Sequence, residues 1–154
     1  EGVFGFACFP YNGLQCILDR GERRAVFTEA FRVLAPGGRL VFEVSPAFRR
    51  RPAEARSRRY RAETPGGLLI LDEEVLRPEG GETVIYDMRY TMVPPEGEPD
   101  VRRVVLELAA FPVMEAVEDC SGGGFRTEAL WGDYHRVPFD PDGSPRLLVM
   151  AVKE

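Results

Sequence analysis

Phe4-Gly5-Phe6-Ala7-Cys8-Phe9, closed by Pro10-Tyr11-Asn12-Gly13-Leu14-Gln15, opens the stretch that decides the fold; it runs on to Glu43-Val44-Ser45-Pro46. The first six residues form a short apolar run bounded by turn residues, the pattern of a parallel strand buried on both faces. A short helix follows. Glu22 to Ala35 then carries apolar residues at Val26, Phe27, Ala30, Phe31, Val33 and Leu34, the spacing of a helix with one broad apolar face. Pro36-Gly37-Gly38 is expected to stop that helix, because glycine takes the left-handed cap conformation and proline cannot continue the ladder. Arg39 to Val44 reads as the next strand. Strand, crossover helix and strand make a right-handed parallel unit.

The far end of the chain supplies Gly124-Phe125-Arg126, Trp131-Gly132-Asp133-Tyr134, Pro138-Phe139-Asp140-Pro141 and Pro145-Arg146-Leu147-Leu148-Val149-Met150-Ala151. Together with Phe4-Gly5-Phe6-Ala7, Pro10-Tyr11-Asn12-Gly13-Leu14-Gln15 and Leu34-Ala35-Pro36-Gly37-Gly38-Arg39-Leu40-Val41-Phe42-Glu43-Val44, this ordered set resembles class I S-adenosylmethionine-dependent methyltransferases. The resemblance covers roughly residues 3–46 and 108–153. It implies an α/β fold: a partial Rossmann-like sheet, mostly parallel with its last strand antiparallel, holding the family's fourth to seventh strands. It also implies S-adenosyl-L-methionine as cofactor. The family's Gly-rich loop after the first strand and the acidic residue ending the second are not in these 154 residues. Gly122-Gly123-Gly124 follows a helix and precedes a strand, the wrong order for a nucleotide turn, and reads as a helix terminus. The resemblance therefore implies a carboxyl-terminal half that binds cofactor weakly or not at all by itself.

Composition sets broad bounds. A chain with net charge −5 and 44% hydrophobic residues is ordinary for a folded soluble domain. No apolar run approaches the ~18 residues of a membrane span, and no signal-peptide pattern opens the sequence. Cys8, Cys16 and Cys120 are an odd count without metal spacing, so a reduced, cytoplasmic setting and no metal are expected. Cys8 and Cys16 are expected in the core.

Arg49, Arg50, Arg51, Arg56, Arg58, Arg59 and Arg61 cluster in sequence. Dense positive charge can recruit phosphates, but the chain is acidic and Tyr60 is the only aromatic among these arginines. A solvated or mobile linker face is expected, and nucleic acid is not.

Beyond it the periodicity changes. Between Thr83 and Val93, Val84, Tyr86, Met88, Tyr90 and Met92 alternate with Thr83, Asp87, Arg89 and Thr91, as in an antiparallel strand with one buried face. Gly67–Arg77 and Val101–Ala110 flank it across turn-forming Pro and Gly clusters. Residues 47–110 thus read as an inserted antiparallel meander between 1–46 and 111–154. The family resemblance implies that such an insertion covers the substrate, with Tyr86 and Tyr90 on its apolar face; the same face also reads as the small sheet's own core.

Phe111-Pro112 opens the last helix and Ser121-Gly122 ends it. Arg126–Trp131 and Arg146–Val152 are the closing strands. Ligands of open α/β sheets bind beyond the carboxyl ends of the parallel strands. That places Phe9, Pro10, Asn12 and Gln15 as cofactor-side candidates, and Tyr11, Glu43 and Trp131 beside Tyr86 and Tyr90 as substrate-side candidates. Asp133, Tyr134 and His135 are the catalytic candidates, His135 because its pKa suits a general base.

Together these features lead to the expectation of methyl transfer to a small-molecule acceptor, with no membrane partner. The Phe4–Phe9 edge, lacking the family's first three strands, is expected to pair with a second copy or with the missing amino-terminal half. The rival readings are a non-enzymatic ligand-binding protein holding an apolar ligand on the antiparallel sheet, and a nucleic-acid module using the arginines.

Overall fold

β1 (Phe4–Phe9) lies parallel to β2 (Leu34–Val44), and α1 (Arg20–Val33) crosses between them. The computed structural model describes residues 2–46, 56–78 and 81–154. These residues belong to two compact units, Glu1–Arg50 with Ala109–Glu154, and Arg51–Leu108.

In the first unit, α2 (Val113–Gly122), β7 (Phe125–Trp131) and β8 (Leu147–Lys153) complete a sheet of order β1-β2-β8-β7. β8 is antiparallel to both neighbours. β7 therefore runs in the direction of β1 and β2, although β1–β2 is the sheet's one parallel ladder. Leu40, Phe42 and Val44 of β2 and Leu147, Val149 and Ala151 of β8 are buried on one face. They form one cluster with Phe27 and Ala30 of α1 and Ala116 and Cys120 of α2. The Phe27 and Phe42 rings lie 5.3 Å apart. Each buried leucine, valine or phenylalanine of this cluster contributes about 1.5–3 kcal/mol of transfer free energy.

α1 is capped by Asp19, whose side chain accepts from the Glu22 N–H at 2.8 Å. The helix ends at Val33, ahead of the expected proline stop. Leu34 is already extended and fully buried, and Lys153 Nζ donates to the carbonyls of Phe31 and Leu34 at 2.5 and 2.7 Å. Burial of Leu34 and that lysine cap end the helix. Ala35-Pro36-Gly37-Gly38 is instead an excursion inside β2: Phe4 pairs with Leu34 and Phe6 with Arg39. Gly37 takes the left-handed conformation there, at φ 75.

β1 departs from the doubly buried strand expected. Its outer edge has no strand partner among the described residues, and Phe4 and Phe6 are each 57% exposed. Ala7 and Phe9 pack on the helix-covered face; Phe4, Phe6 and Cys8 alternate onto the other. Cys8 and Cys16 are accordingly exposed rather than core, and Cys120 is the buried cysteine. Burial pushes the Cys120 thiol up to about 12. α2 closes at the glycine run as expected, with Gly124 left-handed at φ 99.

The second unit is a four-stranded antiparallel sheet, β3 (Arg56–Thr64), β4 (Gly67–Leu76), β5 (Thr83–Val93) and β6 (Asp100–Ala109), in that order. Arg56, Arg58, Arg59 and Arg61 lie in β3 rather than in a linker; Glu73 of β4 stands opposite Arg58 and Asp72 opposite Arg59, which pairs with it. Arg49, Arg50 and Arg51 lie outside the described residues. Register gives the sheet two chemical faces. Arg59, Asp72 and Arg89 line up across three strands, and Asp87 pairs with Arg103 at 2.5 Å. On the opposite face Tyr60, Leu71 and Tyr90 line up, beside Tyr86 and Met88. Tyr90 Oη lies 3.6 Å from Met88 Sδ.

Candidate functional site

Two successive residues after β1 are held in the left-handed region, Tyr11 at φ 52 and Asn12 at φ 56. Such positions cost about 1–2 kcal/mol each outside glycine, so the surroundings must impose them. Gly13 N–H donates to Pro10 O at 3.0 Å and Gln15 N–H to Asn12 O at 2.8 Å, which closes the turn. Gln15 then anchors it. Its side chain is fully buried; Oε1 accepts from Ser45 N–H at 2.7 Å, and Nε2 donates to Ala109 O at 3.1 Å and Ser45 O at 3.4 Å. One side chain therefore ties the end of β1 to the end of β2. Asn12 Oδ1 is buried without a hydrogen-bond partner among the described residues, an arrangement native structures rarely leave unused.

Glu43, one residue before the end of β2, is 6% exposed. Tyr134 Oη donates to its Oε2 at 2.6 Å and Arg146 Nη1 to its Oε1 at 2.9 Å. The Arg146 guanidinium also sits 4.2 Å from the Tyr134 ring centroid. The bond to Glu43, aided by desolvation, raises the Tyr134 phenol above its ordinary pKa and keeps it a proton donor.

The β7–β8 loop delivers these groups. Asp133 Oδ1 accepts from the backbone of His135 at 2.8 Å and of Val137 at 3.1 Å, and Gly132 N–H donates to Val137 O at 2.7 Å. Gly132 is required because a Cβ there would come within 2.1 Å of Ser144 Oγ. Trp131 bridges to Pro138.

The ends of the strands and this loop enclose a cleft of about 500 Å³. β1 and its turn contribute Cys8, Pro10 and Tyr11, and β2 contributes Val41 and Glu43. The far wall is Trp131, Asp133, Tyr134 and Arg136, with Leu148 of β8. Of the residues singled out in the sequence, the structure brings together Pro10, Tyr11, Glu43, Trp131, Asp133 and Tyr134. Asn12 adjoins them. Phe9 packs into the helix-covered core, Gln15 is spent on backbone partners, and His135 is exposed and outside the cleft lining. Tyr86 and Tyr90 belong to the second unit. Sequence reasoning missed Arg136 and Arg146. Arg146 stands where the last strand was expected to begin and Arg136 follows His135, but nothing in either neighbourhood pairs them with Tyr134 or Trp131.

Neither a protein-family model nor a curated protein matches the sequence. Solved structures do match. An S-adenosylmethionine-dependent methyltransferase from Clostridium acetobutylicum superposes with TM-score 0.79 at 11% identity, over 99% of this chain and 59% of its own. A sugar N-methyltransferase from Streptoalloteichus gives 0.78 at 19% identity, over 99% and 57%. An amino pentose methyltransferase from Micromonospora echinaspora, solved with S-adenosylmethionine bound, gives 0.71 at 19%, over 99% and 59%. This chain thus spans under two thirds of the length of those proteins. Over the part it spans, the chain has the fold of the class I S-adenosylmethionine-dependent methyltransferases.

Proposed function

We propose that the chain supplies the acceptor side of an S-adenosylmethionine-dependent methyltransferase acting on a small molecule. The observation that carries this reading is the convergence at one sheet end: the strained Tyr11-Asn12 turn and the Glu43–Tyr134–Arg146 cluster open onto one cleft, in a fold shared with methyltransferases. Asn12 Oδ1, buried and lacking a donor, suits the ammonium or a hydroxyl of the cofactor, and Pro10 and Tyr11 would flank it. When bound, the cofactor supplies a methyl group on a sulfonium together with its own leaving group.

What remains for the protein is alignment, exclusion of water and removal of one proton. As the acceptor loses its proton to Tyr134 Oη, Tyr134 passes its own to Glu43 Oε2, 2.6 Å away. Arg146 keeps that carboxylate in place. Asp133 acts by shaping the loop through backbone amides. Gln15 serves the cofactor side by fixing the turn that carries Asn12.

A second reading, an apolar ligand held on the antiparallel sheet without chemistry, draws on the half-buried Tyr86, Met88, Tyr90 and Met92 face. Calorimetric titration separates the two. Binding of S-adenosylhomocysteine, weakened by Asn12→Ala, supports methyl transfer. Binding of apolar ligands alone, lost on Tyr90→Ala, favours the other.

A further inference from the structure

Among the described residues of the unit that holds the cleft, every arginine but one has a carboxylate partner, from Arg20 with Asp119 to Arg146 with Glu43. Arg136 is the exception. Its guanidinium lies 5.5 Å from the Trp131 ring centroid and lines the cleft. Its backbone is left-handed at φ 66, in the turn closed by Arg136 N–H on Asp133 O at 3.3 Å. The loop thus sets a cation with no ion-pair partner among the described residues on a cavity walled by Pro10, Tyr11, Trp131 and Leu148.

We propose that Arg136 recognises an anion, and that the methyl acceptor carries a carboxylate on a flat, apolar body. The guanidinium offers N–H pairs in a fork that matches the two oxygens of a carboxylate, and stacking on Trp131 limits the side-chain freedom lost on binding. Neither of the cleft's own acids is paired with Arg136. Both Glu43 oxygens are engaged by Tyr134 and Arg146, and Asp133 Oδ1 is held by two backbone amides. The word acceptor rests on the methyl-transfer reading; the anion site does not.

Trp131 is the single tryptophan of the chain, so its fluorescence reports this site directly. The experiment titrates benzoate and its neutral counterpart benzamide into the native protein, Arg136→Gln and Arg136→Lys, each first shown to melt like the native protein. Benzoate should bind the native protein at least about tenfold more tightly than benzamide, the scale of one charge-assisted hydrogen bond. Arg136→Gln should erase the difference without moving benzamide, and Arg136→Lys should retain part of it. Equal affinity for the two probes in the native protein, or a benzoate preference that survives in Arg136→Gln, would overturn the proposal.

S-adenosylhomocysteine, titrated in parallel, identifies the source of the carboxylate. Unchanged affinity in Arg136→Gln assigns it to the acceptor; a tenfold loss assigns Arg136 to the cofactor's amino-acid end and overturns the acceptor assignment. Failure of S-adenosylhomocysteine to bind either protein would count against the methyl-transfer reading alone, because the benzoate comparison is read without it.

Discussion

Tyr134 Oη and Glu43 Oε2 are 2.6 Å apart across 91 residues of sequence, which makes the end of β2 and the β7–β8 loop one structure. If that bond carries a proton during turnover, Tyr134→Phe should lower the methyl-transfer rate by about 10²-fold, the lower end of general acid–base contributions. Tyr134 is 60% exposed, so the stability cost should be small, about 1 kcal/mol. Rates and thermal melts of Tyr134→Phe, Glu43→Gln and the double variant form a cycle that isolates the coupling. An unchanged rate with a large loss of stability would make the pair purely structural.

Gln15 is expected to matter for folding more than its neighbours in the turn. Gln15→Leu removes the acceptor for Ser45 N–H and the donor to Ala109 O in a fully buried position. Each stranded group costs about 1–3 kcal/mol, so urea denaturation should show a loss of about 2–6 kcal/mol. A loss under half of the lower figure would mean that water replaces the amide.

Acid should loosen the helix layer at Asp119. Burial opposes ionisation of this residue, but hydrogen bonds from Arg20 (2.9 Å) and Arg24 (2.8 Å) outweigh it and hold the carboxyl below its ordinary range. The folded pKa is thus below the unfolded value of about 3.9. The contribution is complete above that value and is lost as pH falls through the folded pKa. Urea midpoints measured from pH 6 to pH 3 should fall more steeply in the native protein than in Asp119→Asn. Parallel curves would remove Asp119 from the acid response.

Local pattern and tertiary context divide what was legible. Period-two alternation placed β5 at Thr83–Val93 without error, because its two faces differ so strongly in polarity. The end of α1 is not legible locally, because Pro36-Gly37-Gly38 is a stronger local stop than Leu34, whose extended conformation goes with its burial and with Lys153 over a hundred residues away. The composition of β1 is that of a strand buried on both faces, whereas the family resemblance marks it as an edge; sheet order agrees with the edge and leaves Phe4 and Phe6 exposed. At the cleft, Pro10, Tyr11, Glu43 and Trp131 followed from the rule that ligands gather at strand ends. Gln15 in the core and Arg146 on Glu43 did not follow, since both are long-range polar contacts with no local signature.

On the proposed reading, the ends of β1 and β2 and the β7–β8 loop form one cofactor-and-acceptor cleft. Amide chemical shifts followed while S-adenosylhomocysteine is added to millimolar concentration test it most directly, since they locate even weak binding. We expect the shifts to concentrate at Tyr11, Asn12 and Gly13, at Glu43 to Ser45, and at Trp131 to Arg136. No shifts at millimolar concentration, or shifts confined to the β3–β6 sheet, would contradict it.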